Sequence, residues 1–262
     1  MNLEAFSVEL SLTTYLIVCP LVFLAGFVDS IAGGGGLISL PAYLLAGLPA
    51  HITLGTNKTA MSIGTFTATL KYFKAGQIDW RVGLFSAVAS FIGAIGGSTL
   101  SLAISDKALR IVMLAVIPAV AVFLLIKRNF GTSPAVDRQL SRRRVAATSL
   151  AIGLVVGCYD GLIGPGTGTF LILAFTGFLG FDLLKSSACA KVANLMSNIA
   201  SMIVFSMSGK VLFLLAIPAA VFAAAGNYLG AKLAIKGGAK YVRYTVFVVI
   251  GLLFVKMAVE LF

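Results

Sequence analysis

Residues 26–36 read Gly-Phe-Val-Asp-Ser-Ile-Ala-Gly-Gly-Gly-Gly, and residues 157–168 read Gly-Cys-Tyr-Asp-Gly-Leu-Ile-Gly-Pro-Gly-Thr-Gly. At an offset of 131, Gly26 meets Gly157, Asp29 meets Asp160, Gly33 meets Gly164 and Gly35 meets Gly166. Both stretches interrupt long apolar runs in which a helix would otherwise continue. Four consecutive glycines destabilise a helix interior, and proline removes a backbone donor, so no helix runs comfortably through either stretch. Two matching breaks in one chain are the mark of a duplicated unit.

The match continues further along at an offset of 133, where Lys58 meets Lys191 and Gly76 meets Gly209. A two-residue insertion in the second half accounts for the drift. Apolar runs fall at about 13–31, 37–48, 56–73, 82–104, 108–126, 145–163, 169–179, 186–207, 211–233 and 241–262. The second and seventh are about a dozen residues long, which gives about 18 Å of helix against a hydrocarbon core of about 30 Å. They read as half-crossings, re-entrant arms or the second halves of broken helices. The expected fold is an all-α polytopic membrane protein with two homologous halves. Each half holds a glycine-broken hairpin plus three transmembrane helices. The expected division is 1–126 as the first repeat, 127–145 as a basic linker and 146–262 as the second repeat.

Composition agrees and excludes much else. Of 262 residues, 59% are hydrophobic and 11% are charged, less than half the roughly 25% of soluble domains, and the mean hydropathy is +1.03. At about 20 residues per crossing, the chain is used up by about eight to ten spans, with no room for a soluble catalytic module. The net charge of +11 sits mostly in loops, as membrane orientation requires, and does not point to nucleic acid. Cys19, Cys158 and Cys189 stand singly and His51 is the one histidine, which argues against a disulfide or a zinc site. Gly164-x-Gly166-x-Gly168 lacks the following G-K-[ST] of a phosphate loop, and no H-E-x-x-H or G-x-S-x-G occurs. Neither enzyme chemistry, a metal nor a cofactor is expected. The first apolar segment lacks a basic n-region and reads as a retained span.

Orientation follows from the basic loops. With Lys127, Arg128, Arg138, Arg142, Arg143 and Arg144 in the cytoplasm, and each short arm returning to the side where its hairpin began, three full crossings remain per half. An odd number inverts the second half relative to the first. This places Lys71, Lys74, Arg81, Lys185, Lys232, Lys236, Lys240 and Arg243 at the inner face, and the Ser208-Gly209 turn and both termini outside. A parallel eight-helix arrangement exports the Lys232–Arg243 cluster instead.

Paired interruptions at corresponding positions of two repeats point to a transporter's binding site, because irregular backbone at membrane depth is tolerated only inside protein or along a cavity. The candidate substrate-binding residues are Gly33, Gly34, Gly35, Gly36, Gly164 and Gly166 at the breaks. To these are added Thr56, Asn57, Lys58, Lys191, Asn194 and Asn198, expected at the start of the next helix in each half, with Ser197 as a further neutral donor. Helix N-termini at such breaks attract anions, and intramembrane lysines mark function unless they snorkel from a helix end. Asp29 and Asp160 either carry a coupling proton, cap backbone N–H groups or neutralise a lysine. Gly93/Gly97 and Gly226/Gly230 fit close helix packing. His51 is expected in an ordinary loop, and Trp80 as an interfacial anchor. The whole reads as a small anion site of two-fold character, served by alternating access or by a passive anion channel.

Four strings carry a resemblance to a known family: AGFVDSIAGGGGLISLPAYLLAGLP (25–49), LGTNKTAMSIGTFTATLKYFKAGQID (54–79), GCYDGLIGPGTGTFLILAF (157–175) and AKVANLMSNIASMIVFSMSGKV (190–211). The chain resembles the TauE/SafE sulfite exporter family (TSUP), and in particular its YfcA-like branch. The resemblance implies a multi-pass transporter of the bacterial inner (plasma) membrane for sulfur-containing anions, sulfite or small organosulfonates such as sulfoacetate. Family members differ in substrate and in direction of transport. The motif positions it implies are Asp29, Gly33 to Gly36, Thr56-Asn57-Lys58, Asp160, Gly164-Pro165-Gly166, Lys191, Asn194 and Asn198.

Overall fold

The computed structural model describes residues 10–126 and 140–261. The first nine residues, 127–139 and Phe262 lie outside the described residues, and with them the expected basic loop at Lys127, Arg128 and Arg138. Among the described residues the chain forms nine helices and no strand: α1 (Leu12–Ala32), α2 (Gly36–Leu45), α3 (Ala50–Lys74), α4 (Trp80–Ala103), α5 (Asp106–Ile126), α6 (Arg142–Leu162), α7 (Thr167–Leu179), α8 (Leu183–Met207) and α9 (Phe213–Leu261). Five are long and apolar enough to cross a membrane, counting Phe213–Gly237 of α9. The all-α, multi-pass architecture is the one expected.

Side-chain oxygens start several of these helices. Ser11 accepts from Thr14 N, Asp79 from Arg81 N and Val82 N, Ser141 from Arg144 N and Asp182 from Lys185 N. Each satisfies a backbone donor that the helix itself leaves free. Both expected breaks are present. Gly33 ends α1 at φ +82°, and Gly164 and Gly166 stand at φ +87° and +80° ahead of α7, where a side chain is strained and glycine is not. After the first break the chain folds back, since Gly35 lies against Ala25 O and the Asp29 side chain, and Tyr43 shares a core with Val18 and Val22. Leu171, Phe175 and Leu179 of α7 share a core with Ile152 of α6 in the same way. The short helices are returning arms. α7 is three residues longer than α2 and the connection after it one shorter, which locates the two-residue insertion.

The halves are interlaced. α4 of the first packs on α6 of the second, and α9 of the second packs on α1 of the first. A Cβ on Gly93 or Gly97 would collide with the backbone at Leu154 and Cys158 or Leu162, and one on Gly226 or Gly230 with the backbone at Phe23 and Phe27. These glycines are therefore close-approach positions, as expected. α3 packs on α8 at the centre, where its Thr53, Thr56, Asn57, Lys58, Ser62 and Thr65 are buried. Large apolar side chains such as Leu16, Phe66, Ile92, Val155, Ile217 and Val221 face outward. Polar inside and apolar outside suits a lipid solvent and no aqueous one.

Three expectations are corrected here. The runs 211–233 and 241–262 were expected as separate helices, yet α9 continues through both for 49 residues, about 73 Å at 1.5 Å per residue. Gly237 and Gly238 lower helix stability by only about 1 kcal/mol each, which does not compel a turn. His51 is no loop residue: it lies in the first turn of α3, buried, with Nδ1 3.0 Å from Asp106 Oδ1 and Nε2 3.0 Å from Ser101 O. The Asp106 carboxylate also accepts from Ala50 N and His51 N, so α5 caps α3 and holds the ring beside it. The run taken to begin at residue 56 begins at Ala50, because Gly55 serves close packing against the Lys210 backbone and ends nothing. Trp80 opens α4, exposed and edge-on to Phe73 with centroids 5.5 Å apart.

At one end of the bundle, Asp79 of the first half pairs with Lys185 of the second at 3.0 Å. Burial pushes the Asp79 carboxyl up, but the Lys185 ammonium and the N–H groups of Val82 and Arg81 outweigh it and hold the group below the usual carboxylate range. A lowered folded value means that Asp79 adds stability above its unfolded value of about 3.9 and loses it as pH falls through the folded value. Asp79→Asn keeps a capping side chain and loses the part-exposed ion pair, so it is expected to cost at most about 1 kcal/mol at pH 7. Melting curves of the two proteins in detergent should converge as the pH is lowered; a gap that persists in acid would contradict the assignment.

Candidate functional site

α1 and α6 end at their breaks with an aspartate in the last turn. α3 and α8 cross at the centre with a lysine in their third turn. The lysine of each half reaches the aspartate of the other: Lys58 Nζ lies 2.7 Å from Asp160 Oδ2, and Lys191 Nζ lies 2.7 Å from Asp29 Oδ2. All four are enclosed, at 3% and 0% exposure for the lysines and 2% and 4% for Asp160 and Asp29. Such pairs gain little net stability, because desolvation of two charges offsets their attraction; breaking one is what costs. Because Lys58 matches Lys191 and Asp160 matches Asp29, the two pairs exchange under the same two-fold relation. Thr65 and Asn198, equivalent at the offset of 133, hydrogen-bond to each other at 3.3 Å. The relation passes between them.

The breaks also meet. Thr169 N donates to Gly33 O at 3.2 Å and Thr169 Oγ1 to Ala32 O at 2.9 Å. A Cβ on Gly168 would come within 2.5 Å of Gly33 Cα, and one on Gly36 within 3.3 Å of Pro165 Cα. Beside this contact lies a cavity of about 20 Å³, room for about one water molecule. Its wall is made by Asp29, Gly33, Gly36, Asn57, Lys58, Met61, Asp160, Gly164, Thr167, Gly168, Asn194 and Asn198. A wider groove of about 130 Å³ between α2 and α5 is apolar apart from Arg110. It has no paired charge and lies apart from this cluster.

Of the residues expected at the site, Gly33, Gly36, Asn57, Lys58, Gly164, Asn194 and Asn198 line the cavity, with Asp29 and Asp160. Gly34, Gly35, Thr56, Gly166 and Lys191 do not. Thr56 Oγ1 accepts from Leu212 N and so pins the turn before α9. Gly35 packs on Asp29, and Gly166 packs on Val120 of α5. Lys191 stands behind Asp29. Lys58 and Lys191 were expected at helix starts, yet each is eight residues into its helix, about 12 Å from the end, and so cannot snorkel. The α7 N-terminus offers fewer free donors than expected, since Thr167 N already donates to Gly164 O and Thr169 N to Gly33 O. Met61, Thr167 and Gly168 were missed. Thr167 carried one signal, a hydroxyl at the first position of a helix that follows Gly-Pro-Gly.

Asp160 is the more heavily bonded carboxylate. Besides Lys58 it accepts from Thr167 Oγ1 and Ser197 Oγ, both at 2.6 Å. Asn57 Oδ1 is buried without a partner on the cavity wall. The wall thus combines the Lys58 ammonium, three amide side chains and glycine backbone with two carboxylates.

Buried cross-paired charges at the centre of an all-helical, multi-pass membrane protein are the build of a solute transporter. The chain belongs to the sulfite exporter TauE/SafE family, whose sequence profile matches residues 18–257. The probable membrane transporter protein ORF9 of Sinorhizobium sp is 37% identical over 221 residues, 84% of this chain and 83% of that protein. A probable membrane transporter protein of Haemophilus influenzae is 33% identical over 238 residues, 91% of this chain and 92% of its own. The probable membrane transporter protein YfcA of Escherichia coli K12 is 32% identical over 236 residues, 89% and 86% of the two chains. No solved structure gives a significant match.

Proposed function

We propose that this protein is a secondary transporter, an exporter by direction, of small sulfur-containing anions such as sulfite or sulfoacetate, in the bacterial inner membrane. The observation that carries the reading is the pair of buried Lys–Asp bridges exchanged between halves where two glycine breaks meet. The anion binds at the cavity among Lys58, Asn57, Asn194, Asn198 and the backbone of Gly33, Gly36 and Gly164, with Lys191 behind Asp29. It competes with Asp160 or Asp29 for an ammonium. Release of a carboxylate frees it to take up a proton, which gives a route for proton coupling through Asp29 or Asp160. A cavity with room for only about one water molecule, and the exchange of the two bridges between halves beside it, support alternating access rather than an open pore.

We take the arm α2 to return the chain across the span made by α1, so that α3, α4 and α5 count as the crossings of the first half; that odd number supports inverted repeats whatever α9 does beyond Gly237. Tags placed before Asn2 and within 127–139 should then be labelled from opposite sides of the membrane; labelling from one side rejects inversion.

Proteoliposomes supplied with labelled sulfite or sulfoacetate, with and without a pH gradient, test the function. Saturable uptake with counterflow is expected, and Lys58→Ala combined with Lys191→Ala should abolish it. Flux unchanged in that variant removes the anion site, and flux without counterflow makes the protein a channel.

A further inference from the structure

Of the side chains that break the two-fold match around the lysine pairs, two touch Asp160. Thr167 stands where the first half has Gly36, at the offset of 131, and Ser197 where it has Gly64, at the offset of 133. Their hydroxyls donate to Asp160 Oδ1 and Oδ2 at 2.6 Å each, the ionised and nearer acceptors, with Gly164 O at 2.7 Å and Asn194 O at 2.9 Å as the second acceptors. Asp29, in the equivalent place, has Lys191 as its one side-chain donor among the described residues. The lysines differ too. Lys58 lines the cavity next to Asn57, whose buried Oδ1 lacks a partner, whereas Lys191 is fully enclosed and does not reach the cavity.

A buried carboxylate that loses its ammonium is costly unless other donors remain, and hydroxyl bonds to an ionised oxygen are strong ones. If Lys58 moves away, Asp160 keeps both hydroxyl bonds. If Lys191 moves away, Asp29 keeps none. We propose that the two cross-paired bridges do different things: Lys58 leaves Asp160 to engage the transported anion, Thr167 and Ser197 are positioning residues that hold Asp160 meanwhile, and Lys191–Asp29 stays closed as a clamp between the halves. The proposal rests on the anion-carrier reading above and assigns its two lysines unequal roles. The anion meets Lys58 from the cavity side, with Asn57 and Asn194 amides beside it.

The test is sulfite and sulfoacetate uptake into proteoliposomes, resolved into KM and maximal rate. Lys58→Gln with Asp160→Asn is expected to raise KM by at least about tenfold, the loss of a charge-assisted contact to the anion. Lys191→Gln with Asp29→Asn should lower the maximal rate while KM holds. Thr167→Val should raise KM by about tenfold with the maximal rate kept, Thr167→Ser should restore it, and Ser197→Ala should behave like Thr167→Val. In an Asp160→Asn background Thr167→Val should have no further effect, since no carboxylate is left to hold. An equal rise of KM in both double variants overturns the proposal and leaves the carrier reading standing. So does a Thr167→Val effect of the same size with and without Asp160, which marks a merely structural hydroxyl. Absence of saturable flux in the unaltered protein removes the carrier reading, and the proposal with it.

Discussion

Lys191→Met is expected to lower the unfolding free energy by about 3–5 kcal/mol, the cost of leaving one member of a buried ion pair without its partner. Asp29 is buried, and Lys191 is its one side-chain donor among the described residues, so nothing compensates the stranded carboxylate. Adding Asp29→Leu should recover most of the loss, because apolar residues of similar volume replace a buried pair at little or no net cost. Urea or thermal unfolding in detergent micelles, arranged as a double-mutant cycle, reads the coupling directly. Two single losses that simply add would mean that the bridge at 2.7 Å is not the interaction holding these charges. Lys58→Met should cost less than Lys191→Met, since Asp160 retains the Thr167 and Ser197 hydroxyls.

Gly33→Ala should be the most damaging single methyl in the molecule. The backbone there has φ +82°, which costs a residue with a Cβ about 1–2 kcal/mol. The added Cβ would also collide with the backbone of Gly168 and Thr169, and overpacking against main chain adds about 1–3 kcal/mol. The total is a loss of about 2–5 kcal/mol, with transport lost because the two breaks are forced apart. Gly96→Ala is the control, since a Cβ there meets nothing within 4 Å and alanine favours a helix by about 1 kcal/mol over glycine. It should leave the melting temperature unchanged or raised. A Gly33→Ala protein that melts like the control would show that α1 and α7 do not meet at that point.

The residues that define the site were legible in the sequence to different degrees. The breaks at Gly33–Gly36 and Gly164–Gly168 could be read because glycine and proline act on the backbone locally, whatever surrounds them. Lys58 and Lys191, and Asp29 and Asp160, stood out because a charge in an apolar run is expensive anywhere. The start of α3 was misplaced because a glycine used for close packing looks, in sequence, like one that ends a helix. His51 was misread for a related reason: its two partners, Asp106 and Ser101, come from α5 and the end of α4. The continuity of α9 was missed because a polar cluster looks like a boundary, although helices pass through such clusters readily.

The sequence by itself determined that the chain lives in a membrane, that it is two copies of one unit, and where each copy breaks. These properties depend on composition, internal repetition and backbone chemistry, which are local and additive. Only the tertiary structure decided that the lysine of each half belongs to the aspartate of the other. The order along the chain is blind to that choice, since Lys58 and Asp160 are joined by interlaced helices, α1 with α9 and α4 with α6, and not by any nearby spacing. The tertiary structure also decided that the two bridges differ. Thr167 and Ser197 become partners of one carboxylate only when α7 and α8 bring them together around it.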